Sequence, residues 1–182
     1  MSRDTRTRRL TRPRAGTGPA DVRAGADTTF GSLVSRLAGT SRLIELLPDL
    51  HRHALDVTGG SCSLLFEHNP RNGTLQATSG FGLEELRTDP WMPGAGESDL
   101  VDGLFARRSS ILVSDAPRQI PDLASRLGTG SALLVPLGQE AHPVGLLAIG
   151  FAAPTIAASP GSQSEENVSE VASAFLITLE LF

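Results

Sequence analysis

Two apolar runs near the end of the chain, Ser131–Leu137 and Val144–Phe151, constrain its fold more than any other feature of the sequence. Each has the length of one β-strand, and only the six residues Gly138–Pro143 separate them. So short a connection joins antiparallel neighbours, because a parallel pair needs a crossover of a dozen or more residues. An earlier pair has the same grammar: Cys62–Glu67, the breaker-rich turn Asn69-Pro70-Arg71-Asn72-Gly73, then Thr74–Ser79. A short apolar stretch at Ser110–Ser114 supplies a fifth strand. Neither long run approaches the about 20 continuous apolar residues of a membrane-spanning helix. No span is expected, and a cytoplasmic location is the expectation that follows.

Helical periodicity occupies the intervals between strands. Phe30, Leu33, Val34, Leu37 and Ala38 fall on one stripe. A second helix starts after Ser41, meets Pro48, where a kink or restart is expected, and stops at Gly59-Gly60. Glu97–Arg107 places Leu100, Val101, Leu104 and Phe105 inward, and Leu83–Arg87 has room for one helical turn. Ala116 to Leu127 is loop or helix. Ser162-Gln163-Ser164-Glu165 has capping-box spacing and opens a last helix striped with Val168, Val171, Phe175, Leu179 and Phe182. Hairpin-linked strands with interspersed helices predict an α+β domain with a central antiparallel sheet.

Composition narrows the chemistry. All 16 cationic residues among the 182 are Arg, so Schiff-base lysines and P-loop lysines are absent. Seven of those Arg lie in residues 1–25 against Asp4 and Asp21. With almost nothing apolar to bury, residues 1–27 are expected to be a disordered Arg-rich arm, leaving 28–182 as one domain. The single cysteine, Cys62, excludes internal disulfides and lies in a strand, where a buried structural thiol is the ordinary role. His51 and His53 stand two apart on a helix and point in different directions, so they do not share a metal. No GxSxG, GxGxxG or HExxH pattern occurs. Paired carboxylates such as Asp99 and Asp102 fall near helix starts, where they complement the dipole. No catalytic constellation, cofactor motif or metal site emerges.

The ordered series of segments resembles the GAF domain, a ligand-binding and dimerisation module of signalling proteins. Leu43–Leu50 running into His53–Gly59 is similar to the family's leading helix, and Ser79-Gly80-Phe81-Gly82 to the close of its first hairpin. Ile111–Asp115, Ser131–Leu137 and Pro143–Gly150 are similar to its remaining core segments. The resemblance implies a sheet of five or six strands with helices on both faces, the first and last helices sharing one face. The other face would hold a pocket for a small organic molecule. Phe81, Trp91, Leu104, Phe105, Asp115 and Arg118 would line it. Specialised branches fit poorly. The cyclic-nucleotide motif needs a Lys, the bilin branch a cysteine in the second half, the sulfoxide reductases several cysteines, and haem an axial ligand for which His142 alone is placed.

These readings combine into a non-catalytic sensory module whose ligand and cofactor the sequence leaves unknown. It would act on an output domain or partner such as a kinase, cyclase, phosphatase or transcription factor. The recurrence of Val168, Phe175 and Phe182 at seven-residue spacing, with Val171 and Leu179 between, predicts a parallel homodimer through the closing helix. Two other functions stay open: a small redox enzyme using Cys62, and a nucleic-acid-associated regulator using the Arg-rich arm.

Overall fold

The computed structural model describes residues 43–139, 142–152 and 162–181. The Arg-rich arm, the Phe30–Ala38 stripe and Phe182 lie outside the described residues. Five strands form one sheet: β1 (Cys62–His68), β2 (Leu75–Phe81), β3 (Ile111–Val113), β4 (Ser131–Gln139) and β5 (His142–Phe151). The order is β2-β1-β5-β4-β3, with every neighbouring pair antiparallel. Both expected hairpins form, and β5 pairs with β1 to join them into one sheet.

The central strands are nearly continuous in apolar character because both faces are covered, and alternation decides which residue serves which face. Leu65, Val135, Leu147 and Ile149 turn toward α1 (Leu43–Thr58) and α5 (Ser162–Leu181), meeting Leu50, Ala54, Val171 and Phe175. Leu64, Phe66, Leu134 and Ala148 turn the other way. There they meet α2 (Ala95–Arg107), the short helices α3 (Ala116–Gln119) and α4 (Pro121–Leu127), and the segment between β2 and α2. The α+β class, the sheet and the helices on both faces agree with the sequence expectation.

Local differences have physical causes. Helix α1 runs through Pro48, which is exposed on its outer side, while Leu46, Leu50 and Ala54 anchor the inner side. Tertiary burial carries the helix past the missing donor. Ala116 to Leu127 resolves into two helices because Pro121 opens a new first turn with Ile120 as its cap. Leu83–Arg87 forms no helix. The segment is held against the edge of β2 instead, where Trp91 and Leu75 exchange backbone hydrogen bonds of 2.7 and 3.3 Å. Gly145 on β5 faces Glu67 on β1, and a Cβ there would collide with the Phe66 carbonyl oxygen. Only glycine permits that approach.

Candidate functional site

The segment from Gly82 to Gly94 is a strap across the edge of the sheet, and three attachments fix it. The Gln76 side-chain amide donates to the Thr88 carbonyl, and Trp91 pairs with Leu75. The third attachment is Arg126 of α4, a guanidinium whose side chain is only 3% exposed. It donates to the Asp89 carbonyl at 2.9 Å, to the Asp89 carboxylate at 2.7 Å and to Asp122 at 3.0 Å. Arg87 approaches the same two carboxylates from outside, at 3.2 and 3.7 Å. Among the described residues, the bonds of this buried cation go to the strap and to its own helix, so it acts as a clamp.

The clamped strap drives Trp91 inward. Its side chain is fully buried and lies 5.3 Å from the Phe66 ring, centroid to centroid, in the same core as Leu104 and Leu123. Beside this plug opens a cleft of about 330 Å³. It lies where the β1–β2 turn at Gly73 and the β4–β5 hairpin at Pro143 meet α2, with Val101, Asp102 and Phe105 on the helical wall. The volume falls at the lower end of ligand pockets, which run from roughly 300 to 1,000 Å³. A second, more open hollow of about 340 Å³ lies on the outside of α3 and α4, between Pro117 and Gly130.

His68 carries a buried ring nitrogen, Nδ1, without a hydrogen-bond partner among the described residues, and Trp91 Nε1 and Glu97 Oε1, buried and unpartnered likewise, belong to residues that do not line the cleft. His68 lines it, with its ring 6.2 Å from that of Phe105. The other oxygen of Glu97 accepts the Gly94 N–H at 2.9 Å and so caps α2.

The six residues assigned to the pocket from sequence are distributed as follows. Trp91 and Leu104 are fully buried core beside the cleft, and Phe105 lines it. Phe81 lies at the far end of β2, 36% exposed, with the Arg52 guanidinium 5.5 Å above its ring. Asp115 and Arg118 are exposed at α3, on the side of the second hollow. His68, Leu75 and Asp102, which line the cleft, were not assigned to a pocket from the sequence, since they come together only when the hairpin ends fold against α2. On the closing helix, Val168, Val171 and Phe175 are buried against the chain's own sheet, and Leu179 packs beside them.

Two titratable groups are sealed away from the cleft. His51 is 1% exposed, held by Ser63 Oγ at 2.7 Å and Ser79 Oγ at 2.8 Å, with Phe175 edge-on at 5.3 Å. Burial lowers its pKa to about 4. Cys62 is 2% exposed with its Sγ 3.4 Å from the Leu127 carbonyl, and burial pushes its thiol pKa upward. A thiol so placed is poor in the thiolate that redox and nucleophilic chemistry require.

No family model matches the chain, and no curated protein matches it in sequence. Solved structures match its fold. The GAF domain of an Acinetobacter phosphoenolpyruvate-protein phosphotransferase is 14% identical, with a TM-score of 0.64 over 86% of this chain and 94% of that one. The phycoerythrobilin-bound GAF domain of a cyanobacterial phytochrome is 12% identical, with a TM-score of 0.66 over 88% and 100%. This chain has the GAF fold. The same architecture is shared by the free methionine-R-sulfoxide reductase of Neisseria meningitidis, solved with its substrate, at 15% identity and a TM-score of 0.64 over 91% and 93%. The GAF fold thus carries both binding and catalysis, and the side chains of each member decide between them. Among the described residues no helix is long and apolar enough to cross a membrane.

Proposed function

We propose that this chain is a non-catalytic regulatory GAF domain that receives a small organic molecule in the cleft beside α2 and signals as a homodimer to an output domain or partner. The observation that carries the reading is the cleft itself, a ligand-sized space walled by Leu75, Pro93, Val101 and Phe105 together with His68, Ser98 and Asp102. Apolar side chains supply contact area in a small-molecule site, and polar groups among them fix the ligand's orientation. The raised pKa and burial of Cys62 weigh against the redox alternative. Structural neighbours named as GAF domains of a phosphotransferase and a putative sensor histidine kinase support a regulatory role.

For assembly, Val168, Val171 and Phe175 of the sequence-assigned stripe are buried within the chain, so the proposal turns to the outer row of α5. Ser169, Ser173 and Ile177 recur there at four-residue spacing, with Ile177 47% exposed and both serines exposed. Small residues beside an exposed Ile allow a second helix to approach closely. Light scattering should find a wild-type dimer and an Ile177→Glu monomer. A wild-type monomer, or a dimeric variant, overturns this interface.

Native mass spectrometry of freshly purified protein tests the cleft. The expected result is a small-molecule adduct that disappears in Ala106→Trp, a substitution at an exposed position on the cleft wall. An adduct that persists in the variant places the site elsewhere. A wild-type chain without any adduct removes the case for a resident ligand.

A further inference from the structure

We propose that residues 82–94 form a latched strap that opens locally: the Arg126 ion cluster holds it down with the Trp91 ring as a plug in the core, and on release the plug leaves while the sheet stays folded. The latch goes beyond the reading of the cleft and does not depend on a ligand there. From Gly82 to Gly94 the chain forms neither helix nor strand, and its ladder contact is the bridge from Trp91 to Leu75. Its tie from Gln76 to Thr88 is exposed. Trp91 is the one buried residue of the strap, Leu83 at its start is partly buried, and Met92 beside the Trp is 76% exposed. A single buried anchor on an irregular, mostly exposed segment opens at a lower free energy than the whole domain. The anchor is also imperfect, since Trp91 Nε1 has no hydrogen-bond partner among the described residues and gains water on leaving. The ion cluster divides between the two elements. Arg87 and Asp89 pair within the strap at 3.2 Å, and Arg126 and Asp122 pair within α4 at 3.0 Å. The bonds from Arg126 to Asp89, at 2.7 and 2.9 Å, and the 3.7 Å approach of Arg87 to Asp122 cross from one to the other. Separation therefore leaves a neutral pair on each side and strands no buried charge, which is the usual obstacle to breaking a buried ion pair. The Asp89 and Asp122 side chains are 54% and 41% exposed, so water reaches the acidic side of the cluster. Pro93 of the strap lines the cleft, and the Gly94 N–H holds Glu97 at the start of α2, so opening alters both.

Native-state hydrogen exchange followed by NMR tests the latch, with Trp91 as the single Trp. Its ring is fully buried and its indole N–H has no hydrogen-bond partner among the described residues, so exchange there reports access of water to the ring. The indole N–H should exchange faster than the amides of the central strand β5. Its rate should be nearly independent of low urea concentrations, because local opening exposes little surface. Asp89→Ala, at an exposed position, should speed that exchange at least about tenfold through the lost bond to a buried cation. Val171→Ala removes buried methyl groups on the opposite face of the sheet. It should speed the β5 amides about tenfold and leave the indole N–H unchanged. An indole N–H that exchanges together with the β5 amides, with their urea dependence and their response to Val171→Ala, overturns the strap as a local unit. Local exchange that Asp89→Ala leaves unchanged overturns the ion cluster as its latch.

Discussion

His51 should make the stability of this domain fall as pH drops through the mildly acidic range. Its ring is buried between Ser63, Ser79 and Phe175. Hydrogen bonding does not forbid the charged form, because a serine hydroxyl accepts as readily as it donates. Burial does, and it lowers the pKa from 6.5 to about 4. Above pH 6.5 the ring is neutral in both the folded and the unfolded chain, and stability is at its full value. As pH falls below that, the unfolded chain binds a proton that the folded chain refuses, and stability drops. The loss ends near pH 4, where the folded ring also protonates. Across the whole window the shift corresponds to about 3 kcal/mol, and between pH 7 and pH 5 to about 2 kcal/mol. Urea unfolding followed by Trp91 fluorescence at several pH values measures this directly. His51→Gln supplies a non-titrating side chain that can still bond both serines, so its stability should depend much less on pH over the same range. A residual slope is expected from His53, whose pKa burial also lowers, against the raising influence of Glu170 and Asp56. A variant with the same slope as the wild type would refute the assignment of the proton to His51.

Replacing the clamp residue, Arg126→Leu, should cost about 2 kcal/mol through the lost hydrogen bonds of a buried guanidinium, and limited proteolysis should then cut within residues 82–94. Gly145→Ala forces a methyl group against the Phe66 carbonyl oxygen, so thermal unfolding should show a loss of roughly 2 kcal/mol or more. Phe175→Glu places a carboxylate at a fully buried position and should abolish cooperative unfolding. Ile177→Glu, on the outer side of the same helix, should change monomer stability by no more than about 0.5 kcal/mol. Comparable destabilisation by the two helix variants would show that α5 is not oriented as described.

The sheet was legible in the sequence because strand length, turn residues and alternation are local properties. Ser131–Leu137 and Val144–Phe151 could pair in few other ways, and Gly59, Gly73 and Gly128 punctuate the chain where its elements end. The covering of both sheet faces was expected from the resemblance to GAF domains, and the structure shows why it suits runs such as Leu64-Leu65-Phe66, whose alternate side chains are buried on opposite faces. The partner of each apolar stripe was not legible. Val171 and Phe175 repeat at a spacing that suits a second chain equally well, and only the packed domain shows that their own sheet takes them.

The sequence by itself determined the class of fold, the hairpin pairings, the single buried thiol and the absence of lysine chemistry, because each of these follows from residue identity and near-neighbour order. Tertiary structure alone decided the site. His68 ends β1, Pro143 lies near the start of β5, and Val101, Asp102 and Phe105 ride on α2, so the cleft exists only where three distant segments converge. It also shows Trp91, which the resemblance to GAF domains placed in the pocket lining, buried in the core beneath the clamped strap. Contacts between residues far apart in the chain depend on how the layers close on one another, and no local pattern encodes that closure.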